Sequence, residues 1–140
     1  MARLRQLLAL PILLASILPA TAEPPFDAST ICRTAIAAMK GRDPKLIQAT
    51  DAADGITLLT YVRPIDNFIW TYRCRIEGDR VLWADEPGRW REDAADDRIF
   101  FEILAAGAQL RITANHADGS TTRQLFDRDT VLERGNHERR

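Results

Sequence analysis

The fold of this chain is decided by residues 57–85, which read TLLTYVRPIDNFIWTYRCRIEGDRVLWAD. Apolar side chains alternate with polar ones through much of this stretch, the period of a β-strand that buries one face. Two turn sequences interrupt the pattern, PIDN at 64–67 and GD at 78–79. Turns of this composition join antiparallel strands, so the stretch predicts two consecutive β-hairpins.

The turns fix a register that can be checked against the side chains. Facing residues of antiparallel strands share one face of the sheet, so each predicted pair should be chemically compatible. The first turn pairs Tyr61 with Trp70, Leu59 with Tyr72 and Thr57 with Cys74; the second pairs Cys74 with Trp83, Arg75 with Leu82, Ile76 with Val81 and Glu77 with Arg80. The aromatic face that carries the cysteine is therefore predicted to be the core side.

The opposite face of the first hairpin is unusually apolar for a surface in contact with water. It holds Leu58, Thr60, Val62, Ile69, Thr71, Arg73 and Arg75. Two interpretations stay open: another layer of the chain covers this face, or a partner does.

Two further hairpins are predicted toward the C-terminus. A four-residue loop containing Gly107 places Glu102 opposite Arg111 and Ile103 opposite Leu110; a tight turn at Asp118-Gly119 places Ile112 opposite Leu125. Residues 85–97 break the alternation and contain Pro87-Gly88, so they are predicted to connect two halves of the sheet.

A single helix is predicted before the strands. Asp27 or Ser29 can cap its start, its apolar stripe runs to about Lys40, and Gly41 followed by Asp43-Pro44 ends it. The predicted fold class is α+β: one N-terminal helix packed on an antiparallel meander of six or seven strands, curved into a half-barrel or a small barrel.

The two cysteines are predicted to form one disulfide. Cys32 lies on the apolar face of the predicted helix, and Cys74 lies on the core side of the predicted sheet. A bond between them would close a loop of about 43 residues and stabilise the fold by about 4 kcal/mol.

The first 22 residues have the pattern of a secretory signal peptide. Arg3 and Arg5 precede an apolar run at 7–18, and Ala20-Thr21-Ala22 supplies the small residues for cleavage after Ala22. We expect a periplasmic or secreted mature protein without a membrane anchor. Residues 23–132 form the predicted single domain, and residues 133–140 a flexible polar tail.

Length and charge exclude several classes of protein. With 140 residues and a formal net charge of −1, the chain has the size of one domain and lacks the basic excess of a nucleic-acid binder. Cleavage of the signal peptide would make the charge two units more negative. No metal site is predicted, because the acidic stretches at 92–97 and 127–129 lack calcium-loop spacing and His116 and His137 are far apart.

No motif with a catalytic mechanism is present, so a non-enzymatic protein without a cofactor is predicted. Ser120 and His116 flank one hairpin turn, outside any predicted pocket. The candidate contact residues are Arg73, Arg75, Arg89, Trp90 and Arg91, since tryptophan and arginine dominate interface energies. Trp90 has an alternative role as a lid over an open end of the sheet.

These observations predict an exported protein that binds another protein or a component of the cell envelope. Three alternatives remain: an inhibitor of a secreted hydrolase that inserts residues 89–91, a carrier of a small apolar ligand inside a barrel, and a small hydrolase. The carrier would need a cavity despite the large side chains at Trp70, Tyr72, Trp83 and Phe101. The partner and the oligomeric state are not specified by the sequence.

Overall fold

The computed structural model describes residues 16–19 and 26–132. The predicted cleavage site at Ala22 and the predicted tail at 133–140 lie outside the described residues. Helix α1 is Ala28–Lys40, and the Asp27 carboxylate caps it by accepting a hydrogen bond from the Thr30 backbone N–H at 2.7 Å. Gly41 ends the helix with a φ of 62°, the left-handed conformation that glycine adopts without strain.

Seven strands follow α1, and each pairs antiparallel with the next in chain order. They are β1 Ile47–Asp51, β2 Thr57–Val62, β3 Ile69–Glu77, β4 Arg80–Asp85, β5 Arg98–Leu104, β6 Gln109–Asn115 and β7 Thr121–Asp127. Short 3-10 turns lie at Pro44–Leu46, Ala53–Gly55 and Ala105–Gly107. The sheet forms a half-barrel in which β1 and β7 are the edges, which confirms the predicted α+β class.

The registers predicted for three hairpins are confirmed. The pairs Tyr61–Trp70, Cys74–Trp83 and Glu102–Arg111 all face each other as the turns indicate. The length of each turn sets the register of its hairpin. A slip by one residue would move every side chain of a strand to the opposite face, so burial of the apolar face maintains that register.

The register predicted for β6 and β7 is wrong by one residue. Ile112 faces Gln124, and Leu125 faces Arg111 on the outer side of the sheet, where 54% of Leu125 is exposed. The cause is a three-residue loop instead of a two-residue turn: the His116 N–H donates to the Ser120 carbonyl at 2.8 Å. Gly119, with a φ of 87°, supplies the left-handed residue that such a loop requires.

Helix α1 packs on the concave face of the sheet, and the disulfide joins the two. Cys32 and Cys74 are bonded with their Cα atoms 5.9 Å apart, and neither is exposed. The buried side chains around them include Ile36, Ile47, Leu59, Tyr61, Tyr72, Val81, Ile99, Leu110 and Ile112. The aromatic face that carries Cys74 is thus the core side, as predicted.

A second helix, α2 (Arg128–Leu132), was not predicted. It buries Val131 in the core, and the Arg33 guanidinium of α1 donates to the Val131 carbonyl. Five residues are too few to show a helical period in the sequence. Within the described residues, no helix combines the length and the apolar character needed to cross a membrane.

Candidate functional site

Three of the five predicted contact residues meet on the convex side of the sheet. Trp90 forms a bridge with Ala84, which in turn faces Arg73. Residues paired in this way point to the same face, so the indole lies beside a small alanine and reaches the arginines of β3. Its ring centroid is 4.9 Å from Cζ of Arg73 and 4.4 Å from Cζ of Arg75. We call Arg73, Arg75 and Trp90 the outer-face cluster.

The positive charges of the outer-face cluster are neutralised within the chain. Arg73 Nε lies 2.6 Å from a Glu86 carboxylate oxygen. Arg75 contacts Glu77 at 3.0 Å and Glu92 at 3.2 Å. The connection between β4 and β5 supplies two of these three acids, so it is fastened to the face that it covers.

The convex face has a part that is buried by the chain and a part that is exposed to solvent. Leu82, next to the outer-face cluster, is only 1% exposed. At the far end of the same face, Val62 and Ile69 are 47% and 59% exposed. The chain itself therefore covers one part of this apolar face and leaves the other part exposed to solvent.

Arg89 and Arg91 form a separate group of ion pairs. Arg89 donates two hydrogen bonds to the Asp96 carboxylate, at 2.7 and 2.9 Å. Arg91 binds Asp85 at 2.7 Å and lies over the Trp83 ring, on the core side of the sheet. The hydrogen bonds from Arg89 lower the pKa of Asp96 to about 2, and the same bonds raise the pKa of Arg89. This group holds the connection in place.

A cluster of exposed apolar side chains lies elsewhere, at the end of the β2–β3 hairpin. Its members are Val62 at 47% exposure, Ile65 at 88%, Phe68 at 51%, Ile69 at 59% and Trp70 at 39%. Val62 and Ile69 face each other on the convex side, whereas Phe68 and Trp70 stack edge to face on the concave side at 5.1 Å. We call residues 62–70 the hairpin end; it is apolar on both faces and at its apex.

An ion pair within the loop fixes the shape of the hairpin end. Arg63 donates to the Asp66 carboxylate at 2.8 and 2.5 Å, and the same carboxylate accepts from the Phe68 N–H at 3.1 Å. The hydrogen bond from Arg63 lowers the pKa of Asp66 below its usual value. The Arg63 guanidinium also lies over the Phe68 ring at 5.5 Å. The apolar side chains are thus presented by an ordered loop.

A cavity of about 210 Å³ opens on the concave side next to the hairpin end. We call it the inner pocket; its walls are Ile36, Lys40, Arg42, Ile47, Tyr61, Trp70 and Tyr72. Ile47, Tyr61 and Trp70 form one row across β1, β2 and β3. The end of α1 and the residues after it form the opposite wall.

Both cations of the inner pocket lie on aromatic rings. Lys40 Nζ is 5.4 Å from the centroid of Tyr72 and 4.7 Å from that of Trp83, and Arg42 Cζ is 5.0 Å from that of Tyr61. Neither cation forms an ion pair with a carboxylate in the described part of the chain. Burial raises the pKa of Tyr72, with a smaller contribution from Asp85, so its hydroxyl stays neutral at physiological pH.

A third group links a carboxylate, an imidazole and a hydroxyl beside a cavity of about 170 Å³. Nδ1 of His116 is 2.8 Å from Asp97, and Nε2 is 2.7 Å from the Thr122 hydroxyl. The order resembles that of an activated nucleophile, but the side chain of Asp97 is 44% exposed, whereas the predicted hydrolase would require a buried acid. These hydrogen bonds join the residue before β5 and the residue after β6 to Thr122 of β7.

Sequence reasoning missed both the hairpin end and the inner pocket. A signal for the hairpin end was present, because residues 62–70 hold five large apolar side chains in and around one turn. The Asp97–His116 pair also follows from the predicted β5–β6 register, which places these residues opposite each other. The inner pocket had no local signal, since Lys40, Arg42 and Trp70 come from different elements.

The described residues contain no cluster of three or more side chains suited to bind a metal ion. The chain matches no family model, no curated protein and no solved structure. The geometry of its own surface is therefore the basis for any functional conclusion.

Proposed function

We propose that this is a non-enzymatic, exported binding protein that inserts its hairpin end into a cleft of a partner protein of the cell envelope. The observation that carries the proposal is the exposure of five large apolar side chains, from 39% to 88%, on one ordered hairpin. Contiguous exposed apolar surface of this kind is typical of interaction sites. Ordering of the loop by Arg63 and Asp66 lowers the entropic cost of binding.

The two-sided shape of the hairpin end favours a cleft over a flat surface. Val62 and Ile69 project from one face of the hairpin, and Phe68 and Trp70 project from the other. A flat partner could cover only one of these faces. A cleft covers both and removes the apex residue Ile65 from water as well.

The polar groups of the hairpin end favour a protein over the interior of a membrane. The Arg63–Asp66 ion pair and the backbone of residues 64–67 lie among the apolar side chains. Polar groups left without partners in hydrocarbon each cost several kcal/mol. A protein cleft can supply hydrogen-bond partners for them.

The outer-face cluster provides weaker support for binding. Its arginines are already paired with Glu77, Glu86 and Glu92, so a partner would have to replace those ion pairs. Ion pairs of this kind at partly exposed positions add little net free energy. The hairpin end offers apolar area that no part of the described chain covers.

Site-specific photo-cross-linking in cells that export the protein tests the proposal. A photoreactive amino acid in place of Ile65 should give one cross-linked partner, whose yield saturates with expression level. The same amino acid in place of Leu125 is the matched control, because Leu125 is a single exposed apolar residue on β7. We expect no cross-link from position 125.

Purified components then give the size of the effect. We expect the double variant Ile65→Ser/Phe68→Ser to weaken the partner's affinity by at least about tenfold, about 1.4 kcal/mol. Leu125→Ser and Arg73→Ala/Arg75→Ala should each change it less than about twofold. The proposal is overturned if the outer-face variant abolishes binding while the hairpin variant does not. It is also overturned if the protein binds phospholipid vesicles through Ile65 and cross-links to no protein.

A second candidate, inhibition of a secreted hydrolase, is favoured by the same two-sided and ordered shape. In this version the hairpin end, rather than residues 89–91, enters the substrate cleft. Secreted lysozymes and proteases assayed with increasing amounts of the mature protein test it. Inhibition that is lost in Ile65→Ser/Phe68→Ser supports this version, and unchanged activities throughout eliminate it.

A further inference from the structure

The inner pocket combines aromatic walls with two cations that the described chain does not neutralise. We propose that it binds a small organic anion whose body is aromatic or apolar, with Lys40 and Arg42 facing the charged group and Trp70 and Tyr61 contacting the body. This site goes beyond the proposed function, because the ligand is a small molecule and binds on the concave side; Trp70 belongs to both the inner pocket and the hairpin end. The proposal is derived from the positions of the charges and from the size of the cavity.

The distribution of charge selects an anion. Aromatic walls by themselves would also suit a cationic ligand, which would bind over the ring faces. In this pocket Lys40 and Arg42 already lie over Tyr72 and Tyr61. A cationic ligand would therefore meet two like charges, whereas an anion would gain the ion pairs that these side chains lack.

The end of α1 does not oppose an anion in the way that a bare helix C-terminus would. The Ala37 carbonyl accepts from the Arg42 N–H at 2.9 Å, and the Ala38 carbonyl accepts from the Gln124 amide at 3.0 Å. Carbonyl oxygens with partners contribute less of the negative end of the helix dipole. Lys40, in the last turn, adds a compensating positive charge.

The volume of the pocket limits the size of the ligand. A cavity of about 210 Å³ is smaller than the sites that enclose drug-sized ligands, which occupy about 300–1,000 Å³. One or two aromatic rings with a single carboxylate, sulfonate or phosphate suit this space. The exposed side of Trp70 leaves the pocket open to solvent, so such a ligand can enter without unfolding.

Three naphthalene derivatives of nearly equal size test the proposal. We expect the mature protein to bind 2-naphthoate at least about tenfold more tightly than neutral 2-naphthamide, and the 2-naphthylmethylammonium ion more weakly still. Calorimetric titration measures the affinities, and the indole N–H resonance of Trp70 locates the probe. Equal affinity for naphthoate and naphthamide would overturn the proposal, as would no binding of naphthoate at about 5 mM.

Variants of Lys40 and Arg42 test whether these two cations cause the preference for naphthoate over naphthamide. Lys40→Gln/Arg42→Gln should remove the difference between naphthoate and naphthamide, whereas the exchange Lys40→Arg/Arg42→Lys should keep it. The matched control is Arg98→Gln/Arg123→Gln, which removes two exposed charges elsewhere and should leave the difference unchanged. A preference that survives Lys40→Gln/Arg42→Gln in a folded protein contradicts the proposal.

One further variant separates the pocket from the hairpin end. Val62→Ser/Ile65→Ser should lose the protein partner but retain naphthoate, because these side chains lie on the convex face and at the apex, and neither lines the inner pocket. Loss of naphthoate in this variant would place the probe on the hairpin end and would overturn the proposal. Retention of naphthoate together with absence of any protein partner would support the pocket and contradict the proposed function.

Discussion

The outer-face cluster and the inner pocket contain the same kinds of side chain and differ in their surroundings. In both, cations lie about 5 Å from aromatic rings. On the convex side, Glu77, Glu86 and Glu92 neutralise the arginines. On the concave side, Lys40 and Arg42 have no such acids in the described part of the chain. The comparison teaches that the pairing of charges, rather than residue type, separates a structural contact from a candidate binding site.

The largest expected effect tests whether the disulfide maintains the concave side. Cys32→Ala/Cys74→Ala removes the bond between α1 and β3 and should lower the free energy of unfolding by about 4 kcal/mol. Because α1 supplies Lys40, naphthoate binding should weaken as well. Urea unfolding, followed by the naphthoate titration, measures both effects.

Reduced wild-type protein is the control for the cysteine variant, and the two should have the same stability. A loss below about 1 kcal/mol would show that packing alone holds α1 in place.

The next largest effect is the difference in stability loss between variants of Trp90, in the outer-face cluster, and Trp70, in the inner pocket. Trp90→Ala removes a half-buried ring and two cation–π contacts, so we expect a loss of about 2 kcal/mol in stability. Trp70→Ala removes a side chain that is 39% exposed and should cost less than about 1 kcal/mol, while it weakens naphthoate binding. Thermal and urea unfolding of both variants test the difference. If Trp70→Ala were the more destabilising, the division between a structural and a binding tryptophan would be wrong.

A smaller effect tests the end of α1 beside the inner pocket. Gln124→Ala removes the hydrogen bond to the Ala38 carbonyl and should lower stability by about 1 kcal/mol. The Ala38 carbonyl, left with only the longer hydrogen bond from the Gly41 N–H at 3.4 Å, should also reduce naphthoate affinity by about twofold. Gln48→Ala, an exposed glutamine on β1, is the matched control and should change neither quantity. Equal effects of the two variants would contradict a role for Gln124.

The smallest effect concerns acid and the ion pair between Arg89 and Asp96 in the connection between β4 and β5. Hydrogen bonds from Arg89 lower the pKa of Asp96 to about 2, below its ordinary value of 3.8. The unfolded chain therefore takes up this proton first, and the stabilisation is present above about pH 4 and is lost as the pH falls toward 2. Stability of wild type and Asp96→Asn should differ at about pH 5 and converge near about pH 2.

Asp129→Asn, at an exposed position of α2, is the control for the acid series. A difference between wild type and Asp96→Asn that stays constant across the pH range would contradict the ion pair as its source.

Most of the fold followed from local patterns in the sequence. The helix bounds, the three confirmed hairpin registers and the core face depend on periods and turns that span a few residues. The β6–β7 register was the exception, because Asp118-Gly119 suits both a two-residue turn and a three-residue loop. The hydrogen bond between His116 and Ser120 selects the longer loop, and a sequence pattern does not specify it.

The candidate site was predicted less well than the fold. The sequence indicated Arg73, Arg75 and Trp90 by residue type, and the structure brings these three together. The sequence did not indicate the acidic partners of these arginines, of which Glu92 is 17 residues from Arg75. The alternation of the strands assigned the side chains of the hairpin end to the two faces of the sheet. Alternation alone does not specify how much of each face is covered by α1 or by the connection between β4 and β5.

The sequence by itself determined the order of α1 and the predicted hairpins, the turn positions and the core face, because each depends on neighbours along the chain. The cysteine pair followed from the presence of only two cysteines. The tertiary structure decided which cations are neutralised, which part of the convex face is covered and where a cavity remains. These properties depend on distances between elements, such as that between Arg42 after α1 and Tyr61 on β2. Electrostatic and apolar interactions act through space over a few ångströms, so only the folded chain specifies them.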